Sequence, residues 1–315
     1  MSTSILSNRR EIFFAYDIRM GNPNGDPNEN RPRQFRDGRV YATDVRLKRF
    51  VRDYFAQQGR DILVAKVAGE SKPLVERVRA FLEEKDILDI DGSDLVDALL
   101  QTFIDARLFG SSLAFKGSKW KPVPKTLTGA VQFNHGEVLH EVDLIDIMGS
   151  SILASKEENT QGTFTTYYGL RYGLLGFHGI ANEYTAQTTN MTEEDYESLL
   201  VALWRGVRSA ANTRTKMDQV PRLLLSIEYK QGSDFQLGDL LHRIRLSPAN
   251  DKPQKAWTSP TDYVVDFSQL LTLLKHYYAK LDCVRFQTCP DLQMSHRPEE
   301  VGWVELDLEG LKQGG

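Results

Sequence analysis

The sequence predicts an α+β fold in which a ferredoxin-like β-α-β-β-α-β order carries a helical insertion after its first helix. Apolar runs of strand character occur at residues 11–20 and 167–181, and an amphipathic helical pattern follows each of them. Two further amphipathic helices lie between these strand–helix units, which makes the insertion helical.

The first strand, residues 11–20, is apolar on both faces and is therefore expected at the centre of a sheet. It runs into GNPNGDPNENRPR (residues 21–33), whose three prolines, two glycines and four asparagines exclude regular structure. The following helix has an apolar stripe at positions 47, 50, 51, 54 and 55. We expect Lys48, Arg49 and Arg52 to project from its opposite, solvent side, where their removal would cost little stability.

The insertion predicts helices over residues 74–85 and 94–109, the second closed by Gly110. Residues 130–145 indicate a strand pair or one long strand, and the polar segment 146–166 indicates a protruding hairpin.

Four glycines interrupt the strand at 167–181, which indicates that other groups approach its backbone closely. A Thr192–Asp195 capping pattern starts the next helix. Alternation at 223–229 predicts a half-buried strand, after which a helix over about 267–281 and a short strand near 303–308 complete the chain.

Composition excludes several classes of protein. With 315 residues, 41% hydrophobic and 26% charged, the chain is neither disordered nor collagen-like. It has no apolar run of the ~20 residues that a membrane helix needs and no secretory leader. Its two cysteines, Cys283 and Cys289, fit a reducing cytoplasm, so we expect a cytoplasmic protein without membrane partners.

The net charge of −4 conceals an uneven distribution. Residues 1–60 hold 12 basic against 7 acidic side chains, whereas residues 83–105 hold 8 acidic side chains and one lysine. Residues 204–223 are basic again, with five cations and one acid. Such poles are compatible with solvated surface, or with a polyanion on one face and a basic neighbour on the other.

Metal, nucleotide and nucleophile motifs are not found. His135 and His140 would face opposite ways on a strand, and the other histidines have no partner at ligand spacing. Neither a phosphate-binding glycine loop nor a nucleophile elbow occurs. We therefore expect no cofactor, no metal and no catalytic residue.

Residues of the types that bind nucleic acid are more frequent in this sequence than metal, nucleotide or nucleophile motifs. The loop 21–33 combines asparagine amides, turn backbone donors and arginines, the groups that hold phosphates. Tyr167, Tyr168 and Tyr172 could stack on single-stranded bases. The alternative is that the loop is a connector of Asx turns and that the tyrosines belong to the core.

Several motifs resemble one family. EIFFAYDIRMGNPNGDPNENRPR, TDVRLKRFVRDYF and DARLFG (residues 105–110) are similar to the backbone subunit of type I CRISPR Cascade complexes, the seventh Cas family, in its subtype I-B and I-C branch. The resemblance continues through TGAVQF, YGLRYGLLGFHG and EEDYESLLVALWRG, to about residue 229.

The resemblance implies a modified RNA-recognition (RRM-like) palm (residues 1–70, 111–145 and 167–315), helical fingers (71–110) and a thumb hairpin (146–166). It also implies a non-catalytic subunit that polymerises along CRISPR RNA and presents it to target DNA by guide pairing, together with neighbouring copies and other Cascade subunits. The expected RNA-binding residues combine this resemblance with the basic and aromatic patterns: Arg19, Asn22, Asn24, Arg31, Arg33, Lys48, Arg49, Arg52, Tyr168 and Arg171.

Two alternatives stay open. Backbone subunits of type III complexes look similar and cleave RNA with an aspartate in the loop after the first strand, where this chain has Asp26. An RNA-recognition chaperone would share the binding chemistry but would leave the inserted helices unexplained.

Overall fold

The structure is a computed structural model that describes residues 4–65, 73–90, 92–113, 126–150 and 164–310. The strands are β1 (Arg10–Gly21), β2 (Tyr41–Ala42), β3 (Gly110–Ser112), β4 (Thr126–Thr128), β5 (Val131–Phe133), β6 (Gly136–Val138), β7 (Leu144–Ser150), β8 (Phe164–Ala181), β9 (Gln219–Tyr229), β10 (Arg245–Pro248), β11 (Tyr263–Asp266), β12 (Leu281–Thr288) and β13 (Val304–Glu305). The helices are α1 (Asp44–Gln57), α2 (Leu74–Glu84), α3 (Gly92–Thr102), α4 (Ile104–Phe109), α5 (Glu183–Thr189), α6 (Glu193–Ser209), α7 (Leu240–Arg243) and α8 (Ser268–His276).

A nine-stranded sheet organises the fold, with the order β13-β12-β9-β1-β8-β6-β2 and with β5 and β7 also paired to β8. β1 lies between β8 and β9 and is antiparallel to both. Its side chains are buried on both faces, as Phe13 at 1% and Phe14 at 0% exposure show. The prediction of a central first strand is therefore confirmed, because only a strand covered on both sides can be apolar on both sides.

Each face of the sheet has its own hydrophobic core. On one face, α1 and α6 pack over the even-numbered β1 residues, among them Tyr16 and Ile18. On the other face, α8 packs over Phe13 and Ala15. The helix α6 begins with the predicted capping box, in which Thr192 and Asp195 bond each other's backbone N–H groups.

The inserted helices form a third core of their own, centred on residues such as Phe81, Leu99 and Phe103. The predicted single helix over 94–109 is wrong, because α3 ends at Thr102 and α4 starts at Ile104. Phe103 adopts an extended conformation between them, and its buried ring packs edge-on against Phe81. Burying the Phe103 ring inside the insertion is therefore favoured over continuing one helix through residue 103.

The segment before the predicted hairpin contains β5, β6 and the start of β7. β7 pairs with β8 antiparallel from Leu144↔Leu170 to Ser150↔Phe164, whereas the predicted hairpin tip, residues 151–163, lies outside the described residues. One glycine of β8 has the predicted role, since a Cβ on Gly179 would lie 2.4 Å from the Phe133 ring.

The chain is thus a mixed α+β protein with a central sheet. The predicted helix over about 267–281 is shorter, ending at His276, and α5 was not predicted. Within the described ranges, every helix is too short or too polar to cross a lipid bilayer.

Candidate functional site

The loop 21–33 leaves the sheet where β1 ends and closes on itself. Arg31 and Asp26 are joined by a backbone hydrogen bond of 2.8 Å, and Arg33 donates its backbone N–H to the carbonyl of Asn24 at 3.1 Å. The Asp26 carboxylate accepts further backbone N–H groups, from Asn28 at 2.7 Å and Glu29 at 2.9 Å. These N–H groups hold the pKa of the Asp26 carboxyl below its usual value.

The asparagines of this loop serve its architecture. Asn22 is 2% exposed and donates its amide to the carbonyl of Asn30 at 2.6 Å. The Asn24 side-chain oxygen accepts from both the backbone N–H and the hydroxyl of Thr43, the residue that caps α1. The Asn22 amide N–H thus holds the loop and the Asn24 oxygen joins it to α1, while RNA binding by these two residues stays a prediction.

The cations of α1 require a correction. Lys48 is only 9% exposed, and its ammonium contacts Gln132 at 2.9 Å and Asp44 at 3.1 Å. The Arg52 guanidinium donates at 2.8 Å to Asp105, whose side chain is 0% exposed. The helix face opposite the apolar stripe is thus covered by β5 and the insertion, and only Arg49 keeps a side chain that is 43% exposed.

Asp105 joins three parts of the chain. Besides Arg52, its carboxylate accepts the backbone N–H groups of Leu63 at 2.7 Å and Val64 at 3.1 Å. In the same DARLFG motif, Arg107 forms a bidentate pair with Asp195 of the α6 cap, at 2.7 Å to each oxygen. The charged residues of this motif therefore fasten the inserted helices to α1 and α6.

The remaining predicted residues are more exposed. The Arg31 guanidinium lies 3.9 Å from the centre of the Tyr168 ring, so these two expected residues do come together. Arg33 donates to the carbonyl of Gly25, and Arg19 donates to the carbonyl of Thr258.

Arg171 stands apart on β8, paired with Asp143 at 3.0 Å. Tyr172 is a core residue, 2% exposed, whose hydroxyl bonds Asp17 and Tyr263. The interpretation that these tyrosines belong to the core is therefore correct for Tyr172.

Three cations near the loop were missed. Arg214 lies over the Tyr167 ring at 4.1 Å, on the opposite face of β8 from the pair that Arg31 makes with Tyr168, because consecutive residues of a strand point to opposite faces. Lys216 donates to the carbonyls of Asn22 and Pro23, the latter at 2.9 Å. Arg46 of α1 lies close enough to Lys216 for its charge to lower the pKa of that ammonium. The basic segment 204–223 was the available signal, but spacing alone does not show that it returns to the first loop.

Arg46, Arg49 and Lys216 form a basic cluster between the loop and α1. Burial lowers the pKa of Arg46, and the charge of Arg49 lowers it further. Among the described residues, no carboxylate forms a salt bridge with Arg46 or Lys216. A cationic cluster of this kind favours an anion at its open side.

Three of the histidines lie around one cavity, which their spacing in the sequence did not predict. His135, His178 and His242 line one cavity of about 430 Å³, each beside a carboxylate: Asp44, Glu11 and Asp239 respectively.

Within the described ranges, one set of three side chains could offer metal ligands within 4.8 Å of one another. It lies elsewhere, at Glu228, Asp282 and Cys283. The guanidinium of Arg10 and that of Arg285 already neutralise Glu228, which makes this group a poor metal site.

Comparison with known proteins identifies relatives. The family profile for CRISPR-associated protein Cas7 matches residues 8–268. A CRISPR-associated protein Cas7 from Haloferax volcanii is 33% identical over 294 residues, which cover 87% of this chain and 85% of that protein.

Solved structures agree at the level of fold. A chain of a CRISPR RNA-guided surveillance complex superposes with a TM-score of 0.51 at 13% identity, covering 95% of this chain and 94% of that one. A second chain, from a CRISPR RNA-guided surveillance complex in a pre-nicking state, has the same TM-score at 12% identity, covering 93% and 98%. At these identities the superposition concerns the fold alone.

Proposed function

The chain belongs to the Cas7 family, and from this premise we propose that it is the RNA-binding backbone subunit of a type I CRISPR surveillance complex. It binds CRISPR RNA without cleaving nucleic acid, and several copies assemble head-to-tail along one RNA. The observation that carries this proposal is the basic cluster of Arg46, Arg49 and Lys216 against the loop 21–33, whose Arg31 packs on the Tyr168 ring.

We assign the parts of the fold accordingly. The nine-stranded sheet with α1 and α6 is a modified RRM-like palm built from residues 1–70, 111–145 and 167–315, and the separate core of α2, α3 and α4 makes residues 71–110 the fingers. The β7–β8 ladder is the base of a thumb at 146–166. A separately packed insertion fits a module that reaches away from the palm.

Binding of this kind is independent of sequence. Exposed arginines and backbone donors contact phosphates, which are the same at every nucleotide. Tyr167 and Tyr168 add half-buried ring surfaces beside Arg214 and Arg31. A subunit that accepts any guide sequence needs this chemistry, because sequence recognition is left to pairing between guide and target DNA.

The partners follow from the same proposal: CRISPR RNA, target DNA through guide pairing, neighbouring copies and other Cascade subunits. The acidic side chains of residues 83–105 and the basic N-terminal segment are complementary in charge. A heterologous contact between such surfaces builds open filaments, whose length the RNA can set. We propose the cytoplasm as the location, consistent with two free cysteines.

Assembly on RNA is the direct test. When the chain is co-expressed with a CRISPR array, size-exclusion chromatography is expected to give an RNA–protein complex larger than a monomer. Treatment with RNase is expected to decrease the size of this complex. Sequencing of the RNA should return array transcripts of uniform length. The chain expressed without an array is the control. A nucleic-acid-free monomer from both cultures would contradict the proposal.

The absence of cleavage is tested at Asp26. Because its carboxylate is occupied by backbone N–H groups of its own loop, we expect no cutting of complementary RNA by the assembled complex with Mg²⁺ or Mn²⁺. The variant Asp26→Ala is expected to behave as wild type in this assay. Cuts at regular spacing that vanish in Asp26→Ala would instead establish a type III-like nuclease.

A further inference from the structure

Lys216 sits under the loop in an unusual environment. Its ammonium donates to two carbonyls, those of Asn22 and Pro23, and thereby clamps the start of the loop against the segment before β9. Asn22 is further held to this segment, because its backbone N–H donates to the carbonyl of Thr215 at 3.0 Å. A charged group whose hydrogen-bond partners in the described part of the chain are neutral carbonyls is poorly compensated for its lost hydration.

Buried polar groups without partners occur on β1, the loop, α1 and β9. In the described part of the chain, five buried side-chain nitrogen or oxygen atoms form no hydrogen bond: Tyr16 Oη, Asn22 Oδ1, Arg46 Nε, Gln219 Nε2 and Gln219 Oε1. Tyr16 and Gln219 belong to β1 and β9, whereas Arg46 belongs to α1. Such groups are rare in proteins and call for a ligand, a water or a functional explanation.

We propose that Lys216 and Arg46 bind a backbone phosphate of the RNA as their counter-anion, and that RNA binding consequently takes up at most one proton, at Lys216. This inference rests on the proposed function and adds a proton linkage to it. The conjugate acid of the buffer gives up the proton, which forms a new N–H bond on the Lys216 nitrogen, and no other covalent bond changes.

The protonation state of free Lys216 makes this linkage measurable. Burial and, as the smaller cause, the charge of Arg46 together lower its pKa to about 7. A phosphate alongside favours the charged ammonium and raises the pKa. The bound state therefore carries more protons than the free state, and affinity decreases as the pH rises through 7 and 8.

Other charged groups around Lys216 do not give the same effect. The other charged side chains here are Arg46 and Arg49 on α1 and the Asp53 carboxylate that faces Arg46. Tyr16 on β1 has its pKa raised by burial and stays neutral, and Gln219 on β9 does not titrate.

Calorimetry with a short single-stranded oligoadenylate tests the inference, since adenine does not titrate between pH 7 and 8. Titrations in two buffers of different ionisation enthalpy are expected to show uptake of about 0.5 proton at pH 7 and about 0.9 at pH 8. The affinity is expected to be about fivefold weaker at pH 8 than at pH 7.

Variants separate Lys216 from other causes. In Lys216→Arg the charge is permanent, so proton uptake and the pH dependence between 7 and 8 should both vanish. Lys230→Arg is the matched control, because Lys230 also donates to a backbone carbonyl, that of Ala279, but is exposed at the other end of β9. It should retain the wild-type uptake.

The outcomes distinguish the claims. RNA binding by wild type without proton uptake would overturn this inference and leave the proposed function intact. No RNA binding at either pH would overturn both. Inorganic sulfate, a tetrahedral anion that does not titrate here, is the second probe. If saturating sulfate produced the same uptake but left the RNA affinity of the wild type unchanged, the anion site would not be the RNA site and the assignment to RNA would be wrong.

Discussion

Replacing Asp105 with alanine is expected to lower the free energy of unfolding by about 3–5 kcal/mol. The change leaves the Arg52 guanidinium, with a side chain only 12% exposed, without its partner, and it frees the N–H groups of Leu63 and Val64. All three contacts tie the inserted helices to the rest of the chain. Urea unfolding gives the free energy, and the melting temperature should fall by about 5–8 °C.

A second ion pair on the same helix provides the control. Arg49 and Asp53 are also paired, but their side chains are 43% and 39% exposed. Double-mutant cycles should therefore give a coupling of about 0.3–0.5 kcal/mol for this pair and a severalfold larger one for Arg52 and Asp105. Equal couplings would show that the Asp105 contacts do not hold the insertion in place.

The triple variant Arg31→Ala, Arg49→Ala and Arg214→Ala is expected to bind single-stranded RNA about 100-fold more weakly at 0.1 M salt. Each lost phosphate contact lowers the slope of log affinity against log salt by about 0.7, so the slope should fall by about 2. These arginines are exposed, so the melting temperature should stay near that of wild type. Filter binding across a salt series measures both quantities.

A matched set of three cations lies on the far side of the molecule. Lys275, Lys280 and Arg297 are exposed near α8, which packs on the opposite face of the sheet from α1. Replacing them with alanine changes the net charge by the same amount as the first triple variant. It should leave the slope of log affinity against log salt unchanged. A similar loss in both triple variants would mean that the RNA does not occupy the loop and α1.

The sequence predicted those features that depend on local pattern. The central β1, the capping box of α6 and the mixed α+β class all follow from periodicity and end signals within a few residues. The break at Phe103 does not, because it depends on the ring of Phe81 in a neighbouring helix.

The site was predicted less well for the same reason. A helical wheel separates Lys48 and Arg52 from the apolar stripe, but it does not show that a second layer covers their face. Arg52 meets Asp105 across 53 residues of chain, and Lys48 meets Gln132 across 84. Lys216 likewise reaches Asn22 across 194 residues. Long-range contacts of this kind leave no periodic trace.

The length of β8 has a mechanical consequence. It runs for 18 residues, about 60 Å at about 3.4 Å per residue. Its beginning pairs with β7, and from Leu170 to Ala181 it pairs with β1 in the middle of the sheet. A pull along the strand at its Phe164 end therefore loads the long β1 ladder in shear, where many hydrogen bonds must yield together. Because one strand joins both regions, a neighbouring protein molecule that tilts the β7–β8 end must also twist the sheet.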